Sequence, residues 1–258
     1  MNAASLTELA NLYGSDKGTV GPTAECDAHN YTDVYEAYIE RDRQAAVTIL
    51  EIGLGVVGER WDALLVQGRN TGGASLKMWY DYFPNGRIFG IDVNPCPYLD
   101  NDRIKTFVAD QGSVHELEAF VAASKGVYFD IIIDDGSHHP EHQQISLSFF
   151  FKKLKSGGLY FIEDLGRNGL GDHAKGRSAS DKVKNTRSVL KHFREQGTFL
   201  QPNALLDTAY LAENIAHLNF HVPKCSARLA FKASIRRPLR TALRYKHDTE
   251  LLCAIRKK

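Results

Sequence analysis

The sequence predicts an α/β protein built on a doubly wound parallel sheet with helices on both faces. Three observations carry this: short, mainly apolar runs, helical stretches alternating with them, and glycines or acids where the runs end. Strands buried on both faces read as continuous apolar runs. Their regular alternation with helices specifies a parallel sheet covered on each side.

Residues 1–45 are expected to form an N-terminal helical cover. Within it, Ser5 to Leu12 reads as a short helix ended by Gly14, and Tyr31 to Arg41 as a second with Tyr31, Val34, Tyr35 and Tyr38 on one face. The core is expected over 46–235. Val47 to Ile52 is its first strand, Ser75 to Phe83 a helix stopped by Pro84-Asn85-Gly86, and Ile88 to Val93 the second strand. Ile104 to Ala109 follows as a strand, Val114 to Ala123 as a helix, and Phe129 to Ile133 as the fourth strand. His142 to Leu154 reads as a helix closed by Ser156-Gly157-Gly158, leading into a fifth strand, Leu159 to Ile162. The polar, glycine-bearing stretch 166–184 is too hydrophilic for core, and long loops of that kind are commonly lids. A helix at Asn185 to Gln196 and strands near Ala216 to Val222 and Ala227 to Lys232 complete the core; 236–258 reads as a basic tail in which Leu251 to Ile255 has the composition of one more strand.

The 258 residues are 43% hydrophobic and 24% charged, which excludes a disordered or fibrous chain. No stretch reaches the roughly 18 apolar residues of a membrane helix. The opening residues lack the cationic start and apolar block of a secretory signal. Four scattered cysteines with no C-x-x-C pair suggest neither a disulfide framework nor a zinc knuckle, so a cytoplasmic setting is expected. The net charge of +1 is uneven: from Arg236 onward eight Lys/Arg face only Asp248 and Glu250, leaving the other 235 residues at −5. A neutral-to-acidic body argues against a nucleic-acid partner.

After the first strand, Gly53-Leu54-Gly55-Val56-Val57-Gly58 matches G-x-G-x-x-G, a weak signal alone. A nicotinamide enzyme would place its ribose-binding acid about 20 residues further on. Here the next strand-end acid, Asp92, lies 39 positions after Gly53. Glu51, two places before that glycine, suits a cationic ligand such as S-adenosylmethionine better. Asp92 can accept both ribose hydroxyls, and Asp110-Gln111, at the next strand end, stand where an adenine would lie.

The strongest chemistry is in Asp134-Asp135-Gly136-Ser137-His138-His139 and Glu163-Asp164, each following an apolar strand. If those strands are neighbours, four carboxylates converge and repel unless protonated or bridged by a cation. A hard divalent ion taking oxygen ligands, Mg²⁺ or Mn²⁺, resolves this. His138 could serve beside it as general base, histidine being the side chain that titrates near neutrality. Asp134 could instead orient the loop.

The same residues resemble a known family, the class I S-adenosylmethionine-dependent methyltransferases, specifically the metal-dependent sugar O-methyltransferases of macrolide tailoring. The resemblance runs from about Leu12 to Leu165. It is carried by Tyr13-Gly14-Ser15-Asp16-Lys17, His29-Asn30-Tyr31-Thr32, Leu50-Glu51-Ile52-Gly53, Gly72-Gly73-Ala74-Ser75-Leu76-Lys77-Met78-Trp79, Gly90-Ile91-Asp92, Ala109-Asp110-Gln111-Gly112-Ser113, the Asp134–His138 segment and Ile162-Glu163-Asp164. It implies a Rossmann-like methyltransferase sheet, with Asp135, Glu163 and Asp164 as metal ligands and His138 as catalytic base. It also implies Glu51, Gly53, Ser75, Asp92, Asp110 and Gln111 as cofactor contacts, with Asp135 near the methyl end and Thr32 a further contact. The expected reaction is methyl transfer to a sugar hydroxyl of a glycosylated natural product or polysaccharide, a small-molecule or glycan acceptor. The rivals are an amine or non-sugar hydroxyl acceptor on the same fold and an NAD-dependent oxidoreductase. The reading is compatible with a homo-oligomer.

Overall fold

The computed structural model describes residues 3–21, 28–39, 43–55, 72–165, 183–222 and 252–258. Helix α1 (Leu6–Tyr13) starts with a reciprocal capping box between Ser5 and Glu8 and stops at Gly14 in the left-handed conformation. Its buried residues, Leu6, Leu9 and Ala10, pack towards α3 (Ala74–Tyr82) and α2 (Thr32–Tyr38). On the other side of the sheet stand α4 (Val114–Ala123), capped by Ser113, α5 (Pro140–Phe150), and α6 (Thr186–Gln196), capped by Asn185.

Seven strands form one sheet: β1 (Thr48–Ile52), β2 (Arg87–Asp92), β3 (Ile104–Val108), β4 (Phe129–Asp134), β5 (Leu154–Ile162), β6 (Ile215–His221) and β7 (Leu252–Lys257), in the order β3-β2-β1-β4-β5-β7-β6. Strands β1 to β5 are parallel, while β7 runs antiparallel to both β5 and β6. Side chains alternate across the sheet. Leu50, Ile132, Tyr160 and Ile255 belong to one core with α4, α5 and α6; Ile49, Ile131, Ile133, Phe161 and Ala254 belong to the other with α1, α2 and α3.

Several expectations change. The end of the expected basic tail, 236–258, is the strand that the composition of Leu251 to Ile255 suggested: Leu252, Cys253, Ala254 and Ile255 are buried in β7, because an apolar run paired on both sides removes more surface from water than a solvated end. It also makes the sheet mixed rather than wholly parallel. Helix α5 starts earlier, at Pro140, and ends at Phe150, where a 3₁₀ turn over Phe151–Lys153 tightens the exit. Ser156-Gly157-Gly158 lies inside β5, accommodated by an irregular register against β4 and a left-handed Gly157. Helix α7 (Thr208–Asn214), begun by Asp207, was not expected from the sequence. The strand expected at Ala227 to Lys232, Gly58, and the lid expected at 166–184 (apart from its last two residues) lie outside the described residues. Among the described residues no helix is long and apolar enough to cross a membrane.

Candidate active site

In an open α/β sheet, ligands occupy the crevice outside the carboxyl ends of the strands where the strand order reverses. Here that point lies between β1 and β4. Gly53 leaves β1 with φ of 81°, and a Cβ there would run into the backbone of Asp135 and Gly136. Only glycine lets the two turns pass this closely. The ladder continues past the strand ends: Asp135 N donates to Ile52 O at 2.9 Å and Glu163 N to Asp134 O at 2.9 Å. This places Gly53, Asp135 and Glu163 side by side.

Above them opens a cavity of about 500 Å³, walled by Asp92, Asn94 and Asp110 at one end and Asp135, His138 and Asp164 at the other. The helical cover contributes Asp16 and His29 to it. A smaller cavity, about 160 Å³, is lined by Gly14–Lys17, Gly53–Gly55 and Gly72–Ser75.

The residues expected to bind cofactor divide into two groups. Asp92 is held at the cavity wall by backbone donors, Leu54 N to Oδ2 and Asn94 N to Oδ1, each at 2.9 Å. Asp110 lines the same wall, its Oδ1 accepting from Gly112 N at 2.8 Å, and Ser75 lines the smaller cavity. Gln111 also borders the larger cavity, but its amide is committed within the protein. Its Oε1 accepts from Ser137 N at 2.6 Å and its Nε2 donates to Asp134 Oδ1 at 3.0 Å, which orients the 135–138 loop. Asp134 itself points into the core, bonded by Ser146, Gln111 and Tyr160, and burial raises its pKa. Thr32 is fully buried at the joint of α1 and α2, its Oγ1 2.7 Å from Thr7 Oγ1, and lines neither cavity.

Three of the four expected acids, Asp135, Glu163 and Asp164, come together, as β4 and β5 are neighbours, while Asp134 turns into the core. Asp135, His138 and Asp164 each bring one ligand atom within 4.8 Å of the others. His138 Nε2 lies 3.7 Å from Asp164 Oδ2 and 3.9 Å from Asp135 Oδ1. Glu163 stands alongside, engaged by Lys17 Nζ at 2.9 Å and by the Tyr35 hydroxyl. Asn30, His138 and Asp164 all hold positive φ, 54°, 59° and 50°, a costly conformation for non-glycine residues that concentrates at functional sites.

Three cover residues with a large part in this arrangement had no role in the sequence reading. Lys17, 1% exposed, bonds Asp135 and Glu163 and lies 3.6 Å from Glu51. Tyr31 OH donates to Asp164 Oδ1 at 2.6 Å, and Tyr35 OH to Glu163. The i, i+4 spacing of Tyr31 and Tyr35 was visible as one helix face; that their hydroxyls end on carboxylates 128 and more positions away was not.

Burial alone would lower the Lys17 pKa, but Asp135, Glu163 and Glu51 hold it well above its usual value. Burial raises Glu163 strongly, aided by Asp135 and opposed by Lys17. Burial likewise raises Glu51, to about 7, with Lys17 and Ser75 opposing. A carboxyl raised on folding makes a contribution to stability that is fully present below its unfolded pKa and lost as pH rises towards the folded one. Glu51 should therefore cost the fold up to about 3 kcal/mol between roughly pH 5 and 7. Urea unfolding of Glu51→Gln at pH 5 and pH 8 measures this: the wild-type difference between the two pH values should shrink, and an unchanged difference would remove Glu51 as its source.

No protein-family model matches the chain. It is 41% identical over 160 residues to 8-demethyl-8-(2-methoxy-alpha-L-rhamnosyl)-tetracenomycin-C 3'-O-methyltransferase of Streptomyces olivaceus, covering 62% of this chain and 36% of that protein. With L-olivosyl-oleandolide 3-O-methyltransferase of Streptomyces antibioticus it shares 34% identity over 239 residues, 87% of this chain and 54% of the relative. It thus spans about a third to a half of the length of these curated relatives. Among solved structures, MycE methyltransferase from the mycinamycin biosynthetic pathway, in complex with Mg, SAH and mycinamycin VI, superposes with a TM-score of 0.66 over 99% of this chain and 55% of the other, at 24% identity. The chain carries the Rossmann-like fold of the class I S-adenosylmethionine-dependent methyltransferases and is a sequence relative of their sugar O-methyltransferases.

Proposed function

We propose that the protein is an S-adenosylmethionine-dependent, divalent-metal-assisted O-methyltransferase acting on a sugar hydroxyl of a glycosylated natural product or polysaccharide. The observation that carries this reading is one cavity joining Asp92 and Asp110 at one end to Asp135, His138 and Asp164 at the other. Its size is that of a small-molecule site. The carboxylate of Asp92, fixed by two backbone N–H groups, suits a ribose diol, and Asp110 the base end. Asp135 and Asp164, with Glu163 beside them, offer the carboxylate oxygens that a hard cation takes, and the His138 imidazole lies within 4.8 Å of the first two.

When bound, S-adenosylmethionine supplies the electrophilic methyl group, and the divalent ion lowers the pKa of a hydroxyl it polarises. Asp135 and Asp164, with Glu163, would hold the ion. Tyr31 and Tyr35 keep these acids pointed inwards, and Lys17 offsets their repulsion. His138 would take the acceptor proton beside Asp135 and Asp164. Gln111 keeps the His138 loop in place through Ser137 N. The enzyme would work in the cytoplasm on a small-molecule or glycan acceptor rather than on nucleic acid. Its relatives' tetracenomycin rhamnosyl and oleandolide olivosyl substrates favour a sugar acceptor over an amine.

Calorimetry with S-adenosylhomocysteine and NAD, followed by methyl-transfer assays on rhamnosides with radiolabelled cofactor, tests the proposal. Binding of S-adenosylhomocysteine alone is expected, and binding of NAD alone would overturn it. Asp92→Ala should weaken S-adenosylhomocysteine by about 1–3 kcal/mol through lost hydrogen bonds to the ribose. Unchanged affinity would take Asp92 out of the site.

A further inference from the structure

Building on the cofactor reading above, we propose that Asp16 of the helical cover supplies the counter-charge that faces the sulfonium of S-adenosylmethionine, so that this carboxylate favours the charged substrate over the neutral product.

The geometry comes from how the two cavities meet. The larger passes Asp92 and Asp110, the adenosine end; the smaller is walled by Gly72–Ser75 and the Gly14–Lys17 turn. Four residues line both: Asp16, Gly53, Gly55 and Asp135. In S-adenosylmethionine the sulfur joins the adenosyl part to the methionyl part. A molecule laid through both cavities therefore brings its positive sulfur to their junction.

The ionisable side chains common to both cavities are Asp16 and Asp135. Asp135 is already bonded by Lys17. Among the described residues Asp16 forms no such close lysine pair, though its charge acts on Lys17; its carboxylate has His29 Nδ1 at 3.6 Å, and its side chain is 41% exposed. The Asp16 loop is nonetheless held, since His29 N donates to Asp16 O at 2.6 Å. The His29 ring lies 5.2 Å from that of Tyr31, whose hydroxyl bonds Asp164. Asp16 is thus tied through the cover to the acid cluster while it lines both cavities.

The charge changes during the reaction. As the acceptor oxygen forms its bond to the methyl carbon, the carbon–sulfur bond breaks, sulfur keeps the electron pair, and the acceptor proton passes to His138. The sulfonium becomes a neutral thioether. A carboxylate facing it attracts the substrate form and loses that attraction in the product, which favours release.

Calorimetry of the wild type, Asp16→Asn and Asp16→Glu tests this with three defined ligands: S-adenosylmethionine, S-adenosylhomocysteine, and sinefungin, whose amine carries the positive charge near the same point. Asp16→Asn should weaken S-adenosylmethionine and sinefungin by about 3–10-fold, the range for a partly exposed charge pair. It should change S-adenosylhomocysteine by less than about twofold, and Asp16→Glu should recover part of the loss. Equal weakening of all three ligands would assign Asp16 a structural or shared contact and overturn the proposal, as would no weakening of any. A wild type that binds none of the three would instead remove the cofactor reading, and this inference with it.

Discussion

Lys17→Met is expected to destabilise the fold by about 3–5 kcal/mol at pH 8, the usual cost of removing one partner from a buried ionic group. The ammonium is nearly inaccessible and serves three acids at once, Asp135, Glu163 and Glu51. Taking two or more charges out of water without a counter-charge costs more than their solvation by neighbouring dipoles returns. The acids can respond by taking up protons. All three already have their pKa values raised by burial, and losing Lys17 raises them further. A group whose pKa is raised on folding makes a contribution that is present at low pH and lost as pH rises, so the destabilisation should be smaller at pH 5 than at pH 8. Urea unfolding in the presence of EDTA, which keeps adventitious cations from replacing the ammonium, measures both points. A loss below about 1 kcal/mol at pH 8 would show that the cluster does not depend on Lys17.

The second large effect is on turnover. A sugar hydroxyl is too weak an acid for an imidazole to deprotonate unaided near neutral pH. Under the proposed function, excess EDTA should therefore abolish methyl transfer while leaving S-adenosylhomocysteine binding largely intact, and Mg²⁺ should restore it. His138→Ala should lower kcat by about 10²–10⁴-fold, the range for a positioned general base. The side chain is buried beside Asp135 and Asp164, and its Nδ1 has no hydrogen-bond partner among the described residues. Removing the ring should thus leave stability less affected than Lys17→Met does. Steady-state assays with radiolabelled cofactor, with unfolding midpoints measured in parallel, separate the two effects. Full activity in EDTA would eliminate the metal-assisted mechanism, and wild-type kcat in His138→Ala would eliminate the base.

Much of the architecture was legible in the residues themselves, and the physical reason is local. Doubly buried strands are mainly apolar, so Val47 to Ile52 and Phe129 to Ile133 declared themselves although Thr48, Glu51 and Asp130 lie within them. Gly14 marked a helix end because the left-handed conformation at that position favours glycine. Polar groups at successive strand ends, Asp92, Asp110, Asp135 and Glu163 with Asp164, followed from the same alternation, since a parallel sheet gathers those ends on one side. Tertiary structure decided the rest. Whether Leu252 to Ile255 was a strand or part of a basic tail depended on β5 and β6 being there to pair with it. Ser156-Gly157-Gly158 looked like a helix stop, yet it lies within β5, in the irregularity where the register against β4 passes from Leu154 to Leu159. Gln111 and Thr32 sit in sequence contexts suited to a ligand, but their side chains are satisfied by Ser137 and Asp134 and by Thr7. The reverse holds for Lys17, Tyr31 and Tyr35: Lys17 and Tyr31 stand in motifs that carry the resemblance, yet nothing local says what a lysine in a polar turn or tyrosines on a helix face will bond. Their hydrogen bonds join residues more than 100 positions apart, and that proximity exists only once the cover has closed over the sheet.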